Sequence, residues 1–294
     1  MKQIALLILL VLIMSCGGAK KAIENSESTK QVEGTKTINT SETEIKVEKE
    51  IKTEVKTKEE TPTETEDLVK ISETKAETKT EAFNHYAFDY LLQTNVSVDG
   101  NVDYKNFKTQ SADLAIYIKS LTENMPLESW SKEDKLAYWI NAYNALTIDL
   151  ILRNYPLNSI KNIDKPWDQR LWKFGDKWLN LNDIEHQILR KMDEPRIHFA
   201  IVCASFSCPK LQNTAFTASD IDTQLTDATK DFLADQDRNN ISENSLKLSK
   251  IFKWFAKDFK TNGSLIDFLN KYTEVEISSK AKKSFKDYNW DLND

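Results

Sequence analysis

Two cysteines five positions apart are the residues of this chain whose chemistry most needs an explanation. Cys203 and Cys208 lie in the stretch IVCASFSCPK, where an apolar run leads in and Pro209 follows the second thiol. Proline lacks a backbone donor and restricts the residue before it, so the conformation of Cys208 is constrained. Two of the three histidines, His186 and His198, lie within 22 positions of Cys208. A thiol beside an imidazole that takes its proton is the nucleophile of Cys–His hydrolases.

These residues favour a thiol-dependent hydrolase or acyl transferase that acts on peptide-like envelope material. The predicted nucleophile, base, second-choice base and orienting groups are Cys208, His198, His186, and Glu185 or Asn141. The imidazole would take the proton of the thiol, and the orienting group would hold the ring in place. The oxyanion that develops would be received by Ser205, Ser207 or the backbone amides of the same loop.

Three other roles for the two sulfurs stay open. Cys203 and Cys208 form a disulfide if the chain turns back between them and the compartment allows oxidation. They are otherwise small buried residues, as free cysteines often are. Together with His186 and His198 they would bind zinc, although the spacing matches no compact zinc motif. Apart from zinc, no cofactor is expected, and the rival to an enzyme is a non-catalytic binding module of the envelope.

The helix that contains Asn141 and Asn144 is predicted to be the most buried element. A capping box at residues 131–134 precedes the run KLAYWINAYNALTIDLILRNY, which stops before Pro156. The run is apolar almost all round, which is typical of a central helix. A buried carboxamide must find partners or it costs on the order of 1–3 kcal/mol. Either the two amides tie neighbouring loops to the helix, or one of them orients a histidine or donates to an oxyanion.

The stretch LNDIEHQILR predicts a second helix, on which Glu185 faces the core. At 100° per residue Glu185 falls within the apolar arc, whereas His186 and Arg190 fall on the opposite flank. A carboxylate that faces the core must be paired, or its pKa rises. Glu185 is therefore either a buried ion pair with Arg196 or Arg153, or an acid, a base or the orienter of a histidine.

Residues 196–204 predict a central strand. They are apolar on both faces apart from His198, which is typical of a strand buried on both sides. Cys203 lies within this strand and Cys208 just past its end, where sites of α/β proteins form. A lone strand histidine is more often a core residue than a catalyst, but the concentration of histidines near Cys208 favours a function.

The remaining elements alternate between helices and short strands. Helices are predicted at residues 83–93, 112–121, 219–233 (capped by Ser219 and Asp222), 251–259 and 264–272, hairpins at 96–104 and 171–181, and a strand at 245–249. The aromatic tail FKDYNW is expected to dock back on the core. This mixture predicts an α+β fold, with several helices around a small sheet, in a single domain over residues 83–294.

The N-terminus predicts export and lipid anchoring. Lys2 precedes the apolar run IALLILLVLIM, which is too short for the ~20 residues that span a bilayer. The tetrapeptide IMSC that follows resembles a bacterial lipobox, in which the signal peptide at residues 1–15 is removed and Cys16 is acylated. Gly17 stands where an aspartate would retain the protein at the inner membrane, so the outer membrane is favoured. The alternatives are an ordinary signal peptide and an uncleaved anchor.

Residues 16–82 predict a disordered tether. They contain no aromatic residue and are dominated by Lys, Glu and Thr, so they cannot bury enough apolar surface to offset the entropy of ordering. The whole chain of 294 residues has a net charge of −6, which gives no indication of a nucleic-acid partner. The expected partners are the membrane, through the lipid on Cys16, and an unidentified substrate or protein.

Five blocks of the chain, in the expected order, together resemble the domain of unknown function 547 family. The blocks are YWINAYNALT, LNDIEHQILR, RIHFAIVCASFSCPKL, IFKWFAKDF and DYNWDLN, and the stretch VSVDGNVDY fits the beginning of that domain. The resemblance covers most of residues 85–293 and implies a bacterial exported or lipoprotein setting, with no settled activity. The matching polar positions are Asn141, Asn144, Glu185, His186, Arg190, Arg196, His198, Cys203, Ser207 and Cys208.

Overall fold

The computed structural model describes residues 82–294, so the predicted signal peptide, the lipidation site and nearly all of the tether lie outside the described residues. The helices are α1 (Tyr86–Asn95), α2 (Tyr104–Thr109), α3 (Ser111–Glu123), α4 (Lys132–Asn154), α5 (Ile221–Ala234), α6 (Ile251–Trp254) and α7 (Leu265–Leu269). The strands are β1 (Trp172–Phe174), β2 (Lys177–Leu179), β3 (Asn240–Ser242), β4 (Ser245–Leu248) and β5 (Lys282–Phe285). The α+β class is confirmed. Among the described residues no helix is long and apolar enough to cross a membrane.

The helix α4 is the central helix, as predicted. Ser131 precedes it, and its hydroxyl accepts a hydrogen bond from the backbone N–H of Asp134 at 3.1 Å. Every residue from 136 to 148 is buried, so the helix contacts neighbours on all sides. It ends before Pro156, which cannot continue a helix. A helix enclosed in this way holds its two asparagines away from solvent.

The two sheets are small. Strands β1 and β2 form the predicted antiparallel hairpin, in which Trp172 faces Leu179 across a turn at Gly175 with a φ of +56°. Strand β4 pairs antiparallel with β3 and parallel with β5 in the second sheet. Neither sheet runs through the segment that carries the cysteines.

The buried apolar residues form two clusters, and the segment with the histidine and the cysteines lies between them. The larger cluster surrounds α4 and includes Ile197 and Ile201. The smaller cluster joins α5, β4, α6 and α7, and Phe199 packs within it. Ile197 and Ile201 therefore pack in the larger cluster, whereas Phe199, between them in sequence, packs in the smaller one.

The predicted central strand at residues 196–204 is wrong. The chain forms a 3₁₀ helix over Pro195–Phe199, then turns, and only Ser205 makes an isolated bridge, to Leu292. Proline at the first position and the Glu194 side chain, which accepts from the N–H of Arg196, favour this helical start. The run is apolar on both faces because it lies between two cores, which sequence periodicity does not distinguish from a buried strand.

Other predicted boundaries differ in detail. The stretch 96–104 makes one bridge, between Val96 and Val102, instead of a full hairpin. Helix α5 begins at Ile221, two residues later than predicted, and Asp220 at its N-cap makes no side-chain capping bond. The predicted helix at 251–259 is two short pieces, α6 and a 3₁₀ turn at Asp258–Lys260. The stretch LNDIEHQILR forms a π-helical segment, Asp183–Ile188, followed by a 3₁₀ segment, Leu189–Met192.

Candidate functional site

A cleft of about 240 Å³ brings together five of the predicted site residues. These are Glu185, His186, His198, Cys203 and Cys208. Most of its remaining lining is aromatic: Tyr143, Trp167, Trp254, Phe255, Tyr288 and Trp290. We call this site the aromatic cleft. Two depressions of about 610 and 830 Å³ lie elsewhere, but neither is lined by a histidine or a cysteine.

The two cysteines at this cleft are joined by a disulfide, with a Cα–Cα distance of 6.2 Å. The chain turns between them at Ala204, which has a φ of +53°, and the N–H of Cys208 donates to the carbonyl of Ser205 at 2.9 Å. Cys208 is 3% exposed, whereas Cys203 is half-buried. In this oxidised form the sulfur of Cys208 carries no thiol, so the predicted nucleophile would require reduction of the disulfide.

The surroundings of the sulfurs are hydroxyl and amide groups. The N–H of Cys203 donates to Sγ of Cys208 at 2.9 Å. The hydroxyl of Tyr288 lies 3.2 Å from each sulfur and donates to that of Cys208. Within residues 82–294, neither imidazole is hydrogen-bonded to a sulfur; the bonds of His186 and His198 go to other groups. Two donors therefore converge on the sulfur of Cys208.

The loop between the cysteines is held by the C-terminal tail and by Arg238. The N–H of Phe206 donates to Asp291 O at 2.8 Å, and the hydroxyl of Ser207 accepts from the N–H of Asn289 at 2.8 Å. Arg238 Nε donates to Cys208 O at 2.7 Å. The docking of the aromatic tail is confirmed. Ser207 accepts this bond and keeps its O–H proton, so its predicted role as an oxyanion donor stays a prediction.

His198 is oriented by Asp258, a residue that the sequence did not indicate. Its Nε2 lies 2.8 Å from Asp258 Oδ2, and because a carboxylate only accepts, Nε2 carries the proton. Arg190 donates to both oxygens of Asp258, at 2.6 and 2.8 Å. The predicted orienters Asn141 and Glu185 do not bond to His198, but Oε1 of Glu185 lies 3.8 Å from Nδ1 of His186, the second-choice base. Burial lowers the pKa of His198, and the contact with Asp258 opposes that shift only in part.

The surroundings favour the neutral form of His186 and the charged form of Asp258. Burial and then the charge of Arg190 lower the pKa of His186, whose Nδ1 lies 3.1 Å from Arg190 Nη1. Arginine can only donate, so Nδ1 accepts and the ring is neutral. Burial alone would raise the pKa of Asp258, but the hydrogen bonds from Arg190 and His198 outweigh burial and hold it well below its ordinary value. At neutral pH the two rings are uncharged, and Arg190 and Asp258 balance each other.

Glu185 is buried and has few partners. Its Oε2 accepts from the hydroxyl of Tyr143 at 3.3 Å, and its Oε1 lies 3.8 Å from Nδ1 of the neutral His186. Burial raises its pKa to about 7, against the opposing effects of Tyr143 and Arg190. The prediction that Glu185 is more buried than His186 is confirmed: the exposed fractions of their side chains are 10% and 36%.

The predicted ion pair of Glu185 with Arg196 or Arg153 is wrong. Arg196 pairs with Glu194 and Asp222, at 2.7 and 2.8 Å. Arg153 pairs with Asp149, four residues earlier on α4. Arg196 thus supports the surface beside the 3₁₀ helix rather than the cleft.

Asn141 and Asn144 are structural, as one of their two predicted roles proposed. Asn141 donates to Phe216 O at 2.7 Å and accepts from Phe216 N–H at 3.0 Å. Asn144 donates to Ala200 O at 2.9 Å and accepts from Val202 N–H at 3.0 Å. Each carboxamide therefore ties one loop to α4, and both ends of each are used.

In the part of the chain that the structure describes, no group of three or more His, Cys, Asp or Glu side chains is placed to hold a metal ion. Cys203 and Cys208 supply no thiolate ligand while they are joined. The disulfide, the carboxyl group of Glu185, the imidazole of His186 and the aromatic rings are groups of this cleft that can contact a ligand.

Residues 127–233 match the family model described as "Protein of unknown function, DUF547". No curated protein and no solved structure matches the chain. The matched stretch contains the cysteines, both cleft histidines, Glu185 and the two asparagines of α4. It ends before Asp258 and before the aromatic residues that α6 and the tail contribute to the cleft.

Proposed function

We propose that the aromatic cleft carries out thiol–disulfide exchange with a thiol-bearing peptide or protein of the cell envelope. A substrate thiolate attacks Sγ of Cys203, the bond between the two cysteines breaks, and Cys208 leaves as a thiolate that takes up a proton. A second substrate thiol then attacks the mixed disulfide and releases Cys203. The substrate loses two electrons and two protons and becomes a disulfide, and the protein becomes a dithiol.

The two donors on the sulfur of Cys208 carry this proposal. A leaving thiolate is a better leaving group when donors stabilise its charge. The N–H of Cys203 and the hydroxyl of Tyr288 supply two such donors, at 2.9 and 3.2 Å. Cys203 is the more exposed of the two and is therefore the sulfur that a substrate reaches.

Exchange fits the geometry better than the hydrolase that the sequence favoured. A Cys–His hydrolase needs a free thiol in hydrogen-bonding contact with its base. Here both sulfurs are joined, and the ring of His198 is engaged by Asp258 at 2.8 Å and stacked on Phe255 at 4.0 Å. In exchange, by contrast, the disulfide is itself the reactive group.

The reduction potential of the full chain with Cys16→Ser tests the proposal. The protein is equilibrated in glutathione buffers, and its thiols are alkylated and counted by mass. We expect a potential less negative than about −300 mV, below which structural disulfides of secreted proteins usually lie. In Cys208→Ser, oxidised glutathione should be trapped on Cys203, and the matched Cys203→Ser variant should react more slowly. A disulfide that resists the whole glutathione range, or faster reaction at Cys208, contradicts the proposal.

We also propose that acylated Cys16 anchors the protein in the outer membrane. The lipobox-like tetrapeptide IMSC and the following Gly17 support this location. Wild-type protein should carry a diacyl or triacyl mass on Cys16 and sediment with outer-membrane vesicles. The Cys16→Ala variant should lack that mass and leave the outer-membrane fraction. Retention of the variant there contradicts acyl anchoring.

A second candidate function is a non-catalytic binding module, which the six aromatic rings of the cleft favour. The double variant with Cys203→Ser and Cys208→Ser separates the two. A binding module keeps its ligand affinity in this variant, whereas exchange is abolished.

A further inference from the structure

The aromatic wall of the cleft is made of rings that contact one another. The centroids of Tyr288 and Trp290 lie 4.5 Å apart, and Trp254 lies 4.8 Å from Tyr288 and 5.9 Å from Trp290. Trp167 adds a further ring, 5.7 Å from Trp290. Trp254 is nevertheless 47% exposed, so much of its ring is not covered by protein. The wall therefore offers ring surface to a ligand.

The same cleft contains a carboxyl group with unused hydrogen-bonding capacity. A carboxylate has about four acceptor positions. Within residues 82–294, the side chain of Glu185 accepts one hydrogen bond, from Tyr143, and the ring nearest its other oxygen is the neutral His186. A buried carboxylate without a cation is costly, and a ligand cation would remove that cost.

Two rings of this cleft already hold cations from the chain itself. The ammonium of Lys161 lies 4.4 Å from the ring centroid of Trp290, and the guanidinium of Arg190 lies 5.2 Å from that of Phe255. Both distances are within the ~6 Å at which ring faces attract cations. The negative ring faces and Glu185 thus favour the same sign of charge.

The charges that face Glu185 do not oppose a cation. On its own segment, His186 is neutral and Arg190 is neutralised by Asp258, to which it donates twice. From the other elements, Tyr143 and Tyr288 have pKa values raised mainly by burial and stay uncharged. His198, at the same cleft, has its pKa lowered by burial. Apart from Lys161, whose ammonium lies on the Trp290 ring, the groups around Glu185 therefore contribute no net positive charge at neutral pH.

We propose that the aromatic cleft is a binding site for an alkylammonium group, whose carbon atoms lie against Trp254, Tyr288 and Trp290 and whose charge is paired with Glu185. The group is the side chain of a lysine in a peptide or the head of a small quaternary amine. The site requires no redox chemistry of the disulfide. It can therefore hold if the proposed exchange fails, and exchange can hold if the site fails.

Binding to the oxidised full chain, followed by tryptophan fluorescence and checked by calorimetry, tests the proposal. The probes are choline with its neutral analogue 3,3-dimethylbutan-1-ol, and N-acetyl-lysine methylamide with N-acetyl-norleucine methylamide. We expect each cation to bind about tenfold tighter than its neutral analogue. The tighter of the two cations identifies whether the source is a small amine or a peptide. Equal binding of cation and analogue, or no binding of either cation, overturns the proposal.

Variants test separately how the charge of Glu185 and the aromatic wall contribute to ligand binding. Affinity for the cation should rise as the pH rises through about 7, because Glu185 becomes ionised there. Glu185→Gln should remove both the preference for the cation and this pH dependence, while the neutral analogue binds as before. Trp254→Ala should weaken both ligands, whereas Trp178→Ala, at an exposed tryptophan outside the cleft, should change neither. A cation preference that survives in Glu185→Gln contradicts the assignment.

Discussion

The buried asparagines of α4 and the buried glutamate of the aromatic cleft differ in how many of their hydrogen-bonding positions are used. Asn141 and Asn144 each donate to one backbone carbonyl and accept from one backbone N–H, so both ends of each amide are used. Glu185 is also buried, but within residues 82–294 it accepts a single hydrogen bond, from a tyrosine, and its pKa is raised to about 7.

This difference separates polar groups that build the fold from a carboxyl group that would gain a partner if the proposed ligand binds. A buried polar group that is fully bonded stabilises one arrangement of the chain. A buried charge with unused capacity costs free energy in the empty protein, and it recovers part of that cost when a ligand binds. Burial alone does not distinguish the two classes; the number of partners does.

Of the three substitutions that test this comparison, Asn144→Leu should have the largest effect, a loss of stability. It leaves Ala200 O and Val202 N–H without partners, at about 1–3 kcal/mol for each group, so we expect a loss of about 2–6 kcal/mol in the free energy of unfolding. Urea denaturation measures this. Asn154→Leu is the matched control, because Asn154 is exposed on the same helix and bonds only to Leu150 O. Similar losses in the two variants contradict the structural role of Asn144.

Glu185→Gln should stabilise the protein, whereas Asn144→Leu should destabilise it. The pKa of Glu185 is raised from 4.5 to about 7 on folding, so the folded state binds more protons between these values and stability falls as the pH rises through that window. The amide has no such dependence. At pH 8 the variant should be more stable than the wild type by about 2–3 kcal/mol, and at pH 4 the difference should vanish. Equal stability of the variant and the wild type at both pH values would contradict the raised pKa of Glu185.

Tyr288→Phe should have the smallest effect. It removes the hydroxyl that donates to Sγ of Cys208 and so destabilises the thiolate and thiol of the reduced form. A hydrogen bond contributes about 0.5–1.5 kcal/mol, which corresponds to a potential about 10–30 mV more negative. Thiol counting in the same glutathione buffers measures the shift. Tyr272→Phe, at a hydroxyl outside the cleft, should leave the potential unchanged. A shift to a less negative potential in Tyr288→Phe would contradict stabilisation of the reduced form by this hydroxyl.

The elements that were predicted well are those whose signals are local. The cap at Ser131, the apolar periodicity and Pro156 mark both ends of α4, and Gly175 marks the first hairpin. The same local logic placed Glu185 toward the core and His186 outward, even though that segment is π-helical and not an ordinary α-helix. The cysteine segment was misassigned because an apolar run between two cores has the same pattern as a buried strand.

The site was predicted only in part, for a related reason. Glu185, His186, His198, Cys203 and Cys208 lie within one short stretch of chain, and their residue types suggested chemistry. Asp258, by contrast, is 60 positions from His198, and Tyr288 is 80 positions from Cys208. Their contacts depend on how α6 and the tail pack against the cysteine loop, and no local pattern encodes that packing.

The sequence by itself determined the class of fold, the central helix, the buried glutamate and which residues could do chemistry, because short-range periodicity, caps and residue types carry that information. Only the tertiary structure decided that the sulfurs are paired with each other, that Asp258 holds the histidine, and that aromatic residues from four segments of the chain line one cleft with a carboxyl group. Those outcomes depend on contacts between residues far apart in the chain, and many arrangements of such contacts are compatible with the same local pattern.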